Sequence, residues 1–156
     1  MIVLNIPGAR EFKIEHVVCD YNGTLALDGE LLPGVAELIR ELSAEVQIHV
    51  ITADTFGIAA SQLAELPVAL TIIPVGDQAE AKLGFISKLG ADAVIAIGNG
   101  LNDRKMLSAA AIGIALIQRE GASASTLASA DVVSTSIADA LSLLRHPKRL
   151  IATLRS

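Results

Sequence analysis

Four short segments carry the residue types from which a reaction could be built. The first is Asp20-Tyr21-Asn22-Gly23-Thr24, which sets a carboxylate, an amide, a glycine and a hydroxyl directly after an apolar run. The second is Thr52-Ala53-Asp54, the third is Lys82, and the fourth is Gly98-Asn99-Gly100-Leu101-Asn102-Asp103. A carboxylate can attack phosphorus and form an aspartyl-phosphate. The phosphoryl oxygens then need hydroxyl and backbone N–H donors, a lysine and Mg2+, a cation that takes oxygen ligands and keeps several waters. Gly23 lets the backbone approach a phosphate closely, and Gly98 and Gly100 keep the last loop tight. These types fit phosphoryl transfer.

Something must bring the four segments together, and the intervening sequence supplies it. Apolar runs at Val17–Asp20, Val46–Ile51, Ala69–Ile73, Ala93–Ile97, Ile112–Leu116 and Val132–Val133 read as strands. Helical patterns fall between and after them, at Val35–Leu42, Ile58–Leu66, Ala79–Leu89, Asp103–Ala110, Ser123–Ala128, Ile137–Leu144 and Pro147–Leu154. Ile2–Ile6 and Phe12–Ile14 flank Pro7-Gly8 as a short N-terminal hairpin. Repeated βα units predict an α/β fold with a doubly wound, mostly parallel sheet, helices on both faces and right-handed crossovers. In such sheets ligands bind beyond the carboxyl ends of the strands. Asp20, Thr52 and Gly98–Asp103 all lie at strand exits, and Lys82 lies at the start of the helix before the last of them.

Composition narrows the class. At 156 residues the chain is expected to be a single domain, 1–156, with one core. Hydrophobic residues make up 52% and aromatics only 3%, so the core must be aliphatic, as under a parallel sheet. A net charge of −5 argues against nucleic acid or an anionic membrane as a partner. The single Cys19 excludes an internal disulfide. No apolar run is long enough to span a bilayer, and Met1–Lys13 shows no secretory pattern, so a cytoplasmic protein is expected.

The four segments, in this order, resemble the haloacid dehalogenase (HAD) superfamily. Asp20–Thr24 is similar to its first motif, DxDGT; Ile51–Asp54 to its second, close to the TGD of P-type ATPases; and Gly98–Asp103 to its fourth, GDGxND. Lys82 sits where the third-motif lysine belongs. Ile112–Ala115 and Ala130–Val133 resemble the GIA and ADVV segments of the P-type phosphorylation domain. The resemblance implies a Rossmann-like HAD core and a Mg2+-dependent phosphohydrolase acting on a small phosphorylated substrate. It implies Asp20 as nucleophile and metal ligand, and the Asn22 carbonyl as a second ligand. Gly23, Thr52 and Lys82 would serve the phosphate, and Asn99 and Asp103 would complete the metal site.

Two positions depart from the family pattern. Asn22 replaces the Asp that protonates the leaving group and later activates water, a cycle an amide cannot perform. Asn99 replaces a metal-binding Asp, which weakens the anionic ligand set. Slow turnover is therefore expected. The alternatives are a degenerate member with a binding or regulatory role, or a phosphotransfer protein with a stable phospho-Asp20. Residues 25–51 and 53–81 leave no room for a cap domain. Leu25–Leu32 can form a small flap, and a homo-oligomer is expected to cover the site. Thr52 is alternatively a helix cap, Lys82 a surface lysine and Asn102 an N-cap. His16, His49 and His146 show no ligand spacing, and Arg145, Lys148, Arg149 and Arg155 form a basic tail.

Overall fold

A computed structural model describes residues 1–156. The chain opens with β1 (Ile2–Asn5) and β2 (Glu11–Ile14), an antiparallel hairpin pairing Ile2 with Ile14. Then come β3 (His16–Cys19), the two-stranded flap β4 (Ala26–Leu27) and β5 (Glu30–Leu31), α1 (Val35–Leu42), β6 (Gln47–Thr52), α2 (Ile58–Leu63) and β7 (Val68–Ile72). The second half holds α3 (Gln78–Leu89), β8 (Val94–Gly98), α4 (Arg104–Ala109), β9 (Ile112–Leu116), α5 (Ala124–Ser129), β10 (Val132–Ser134), α6 (Ile137–Arg145) and α7 (Pro147–Leu154). Every expected strand and helix forms, with ends shifted by up to three residues.

Six strands make one parallel sheet in the order β10-β9-β8-β3-β6-β7. The chain winds outward from β3 through β6 to β7, then crosses back to β8 and winds the other way. The reversal falls between β3 and β8, where such sheets open a crevice at their carboxyl edge. Alternation along the strands divides the core in two. Val17, Cys19, Ile95 and Ile97 face a layer that includes α1, α6 and α7, whereas Val18, Val94 and Ala96 face α3 and α4. Both faces of the central strands are thus buried, which is why their sequences read as continuous apolar runs.

Helix ends follow local chemistry. Ser136 Oγ accepts the Asp139 amide at 3.0 Å to start α6, and Pro147 sits in the first turn of α7. One glycine is set by packing: a Cβ on Gly113 would lie 2.3 Å from the Leu107 carbonyl oxygen, so α4 presses directly on β9. The basic C-terminal segment is not wholly solvated, since Arg145 pairs with Glu41 of α1. No helix is long and apolar enough to cross a membrane.

Candidate functional site

Asp20 is the residue immediately after β3, at the centre of the sheet's carboxyl edge. β6 delivers Thr52 beside it and β8 delivers Asn99, the neighbouring exits on either side. They line a cleft of about 700 Å3 together with Tyr21, Asn22, Asp28, Gly29, Asp54, Phe56, Gln78, Asn102 and Glu120.

The floor is a buried ion triad. Lys82 is 1% exposed and its ammonium donates to Asp20 Oδ1 at 2.9 Å, Asp103 Oδ1 at 2.7 Å and Asn102 Oδ1 at 3.2 Å. Those three bonds use all of its N–H groups. Lys82 is therefore not a surface lysine; nor does it begin its helix, since it is the fifth residue of α3 and points inward from the second turn. Asn102 does not cap the next helix: its oxygen faces Lys82 and its amide donates to Gln78 Oε1 at 2.9 Å.

Asp103 is completely buried and ties the fourth segment into a knot. Its Oδ2 accepts the amides of Asn99 and Gly100, both at 2.9 Å. A Cβ on Gly98 would fall 2.5 Å from this carboxylate, which explains the glycine there. On the other side, Gly23 has φ 81°, and a Cβ there would meet the Asn99 amide at 2.5 Å. The first and fourth segments thus touch through a residue that must lack a side chain.

Two expected site residues have unused hydrogen-bonding capacity. Thr52 is 8% exposed, its hydroxyl bonds to nothing in the chain, and it opens on the cleft. It is not the cap of α2; that job belongs to Asp54, whose two oxygens accept the Ala59 and Ala60 amides at 3.1 Å each. Asn99 donates its amide to the Gly121 carbonyl at 3.1 Å, leaving its oxygen free. Asn22 differs: it is exposed, and its side-chain oxygen accepts the Gly29 amide at 3.0 Å, pinning the flap. The Tyr21 hydroxyl fastens the same turn by donating to the Gly29 carbonyl at 2.7 Å.

Burial pushes the Asp20 carboxyl up to about 7; the nearby Asp103 charge adds to this and Lys82 opposes it. For Lys82, burial alone would favour the neutral amine, but the Asp20 and Asp103 charges outweigh it and its pKa is raised. The Cys19 thiol is pushed up to about 12 by burial, so it is inert beside Asp20.

No group of three His, Cys, Asp or Glu side chains converges as a metal cluster. The oxygen donors nonetheless suit a hard divalent cation. Asp20 Oδ2 has only a long 3.5 Å contact from Thr24, and the Asn22 carbonyl and Asn99 Oδ1 accept nothing within the chain. Asp103 is already committed to loop amides and Lys82.

Two residues escaped the sequence reading. Gln118, just after β9, donates to the Gly23 and Thr24 carbonyls at 3.1 and 3.0 Å and accepts the Ile137 amide at 2.8 Å. Thr126 donates to the Gly100 carbonyl at 2.7 Å. Both brace the loops from elements distant in sequence, and neither belongs to a short motif.

Residues 81–141 match the family model of the haloacid dehalogenase-like hydrolases, a span that includes Lys82 and the Asp103 loop. That part of the chain is similar to this family. The chain is 43% identical over 84 residues to an uncharacterized protein of Methanocaldococcus jannaschii, covering 51% of this chain and 90% of the relative. It is 33% identical over 130 residues to the "Probable cadmium/zinc-transporting ATPase HMA1, chloroplastic" of Arabidopsis thaliana, covering 80% of this chain. The match spans 15% of that ATPase's length, so the likeness concerns one segment of a much larger protein. Among solved structures, the 3-deoxy-D-manno-octulosonate 8-phosphate phosphatase of Moraxella catarrhalis, in complex with magnesium, phosphate and KDO, superposes with a TM-score of 0.70. That superposition covers 91% of this chain and 94% of the phosphatase at 20% identity, which establishes the HAD fold.

Proposed function

We propose that this HAD-like protein is a phosphohydrolase that transfers the phosphoryl group of a small phosphomonoester to Asp20 and then to water. The observation that carries the reading is the carboxylate at the cleft floor, held 2.9 Å from a buried lysine and flanked by the free Thr52 hydroxyl. An Asp20 oxygen attacks phosphorus, the bond to the alcohol oxygen breaks, and an acyl phosphate forms. Water then attacks phosphorus, releases phosphate and restores the carboxylate. Thr52 donates to a phosphoryl oxygen. Lys82 offsets the developing charge once esterification neutralises Asp20 and frees one of its N–H groups. Asp20, the Asn22 carbonyl and Asn99 would hold Mg2+, with Asp103 acting through the loop; the ion, when bound, supplies charge neutralisation to the phosphoryl oxygens.

Asn22 cannot give the leaving alcohol a proton, so that proton comes from solvent and the first step is slow. The same residue favours a second reading, in which phospho-Asp20 is long-lived and is itself the output, because no carboxylate at position 22 activates the attacking water. Phosphate release from a panel of phosphomonoesters, with and without Mg2+, tests the first reading. Turnover that survives both Asp20→Asn and chelation of the metal sinks it. Acid-stable phosphoprotein detected by intact mass, without phosphate release, selects the second.

A further inference from the structure

The cleft above the floor has a charge character that the reaction itself does not require. Asp28, Asp54 and Glu120 line it, and no lysine or arginine does. None of the three is in an ion pair, and Lys82 beneath them is already balanced by Asp20 and Asp103. Asp54 turns its oxygens to the α2 amides, which leaves Asp28 and Glu120 as the two carboxylates with no hydrogen-bond partner in the chain. Asp28 is held in place: it has a left-handed φ of 51° at the flap tip, next to Gly29, which both Tyr21 and Asn22 grip. Phe56, 87% exposed, adds an aromatic ring to the same wall. The Thr52 hydroxyl, on a residue only 8% exposed and without a partner in the chain, opens on the cleft and marks the phosphoryl end as lying below. The walls therefore meet the remainder of the ester.

We propose that this cleft selects phosphomonoesters whose alcohol portion carries an ammonium group and rejects those carrying a carboxylate or a second phosphate. The inference rests on the phosphohydrolase reading for its orientation of the substrate. An ammonium gains from two carboxylates and an aromatic face, whereas an anionic alcohol meets two like charges on an exposed wall, where the effect is largest at low salt. A neutral alcohol lies between.

Three esters of matched size test it: aminopropyl, propyl and carboxyethyl phosphate. At low salt, kcat/KM is expected to fall in that order, with about tenfold or more between the ends, and the spread is expected to shrink as salt is added. Asp28→Asn combined with Glu120→Gln is expected to bring the end-to-end ratio towards one. Calorimetric affinities of the same esters for Asp20→Asn, in which turnover is blocked, should follow the same order. Equal rates for all three esters, or a ratio unchanged in the double variant, overturn the selectivity and leave the hydrolase standing. If no ester releases phosphate, the hydrolase reading falls and calorimetry decides: tighter binding of the ammonium ester upholds the selectivity, while equal affinities or no binding overturn it.

Discussion

Two buried nitrogen groups lie between the sheet and α3 and respond to burial in opposite ways. At the carboxyl edge, Lys82 sits between Asp20 and Asp103 and its pKa is raised. Nearer the amino ends of the adjacent strands β3 and β6, His16 Nδ1 and His49 Nε2 lie 3.2 Å apart, and Phe85 of α3 covers His49 edge-on. Burial and the neighbouring His16 lower the His49 pKa. Burial alone favours the neutral form of both. Only the floor of the cleft provides carboxylates to reverse that preference, and a protein keeps buried opposite charges mainly where chemistry needs them. The histidine pair lies against an aromatic ring with no carboxylate partner, whereas the lysine is held by two carboxylates at the floor of the cleft.

Removing the cation should break this contrast most severely. Lys82→Met leaves Asp20 and Asp103 buried without compensation and is expected to cost about 3–5 kcal/mol in urea unfolding. A loss below about 1 kcal/mol would show that water reaches the floor freely and that the triad is not a buried one.

Adding an anion sharpens the same balance. Asn99→Asp places a third carboxylate beside the Asp20 oxygen and is expected to lower metal-free stability by about 1 kcal/mol or more. The variant should bind Mg2+ at least about tenfold more tightly, read by metal-dependent shifts in thermal midpoint. Unchanged Mg2+ affinity would remove Asn99 from the proposed ligand set.

The pH profiles of the two groups should run in opposite directions. Asp20 has a folded-state pKa raised to about 7, so its contribution to metal-free stability is full below about 4 and is lost as pH rises through about 7. Comparison of metal-free wild type with Asp20→Asn should show this slope only in the wild type. His49 has a lowered folded-state pKa, so its contribution is full above about 6.5 and is lost as pH falls below that value. His49→Gln should flatten the acid side by a smaller amount, and an unchanged acid limb in that variant would show that another group carries it.

The smallest effect concerns Cys19, whose buried thiol at a pKa of about 12 should resist alkylation in the folded protein at neutral pH. Rapid labelling without unfolding would show that the strand end beside Asp20 opens readily.

The fold was legible because its elements are strongly periodic. Val35, Ile39 and Leu42 mark α1, and the fully buried strands read as unbroken aliphatic runs, so these patterns carry to the structure almost unchanged. The motif residues were legible for a different reason: a carboxylate, an amide and a hydroxyl at a strand exit violate the apolar pattern around them, and violations mark sites. Sequence also determined that Asp20, Thr52 and Asn99 share one edge, since parallel βα units place all strand exits on the same side.

Partnership was decided only by tertiary structure. Nothing local to Lys82 says that its three N–H bonds go to Asp20, Asn102 and Asp103. Likewise, nothing local to Gln118 says that it reaches Gly23 and Thr24, more than ninety positions away. The two asparagines look alike in sequence, each followed by glycine, yet Asn22 is exposed and holds the flap while Asn99 is buried and offers its oxygen to the cleft. Side-chain type fixes which bonds a residue is able to make. Which of them it makes depends on donors and acceptors brought near by packing of distant elements, and short-range patterns carry no record of that proximity.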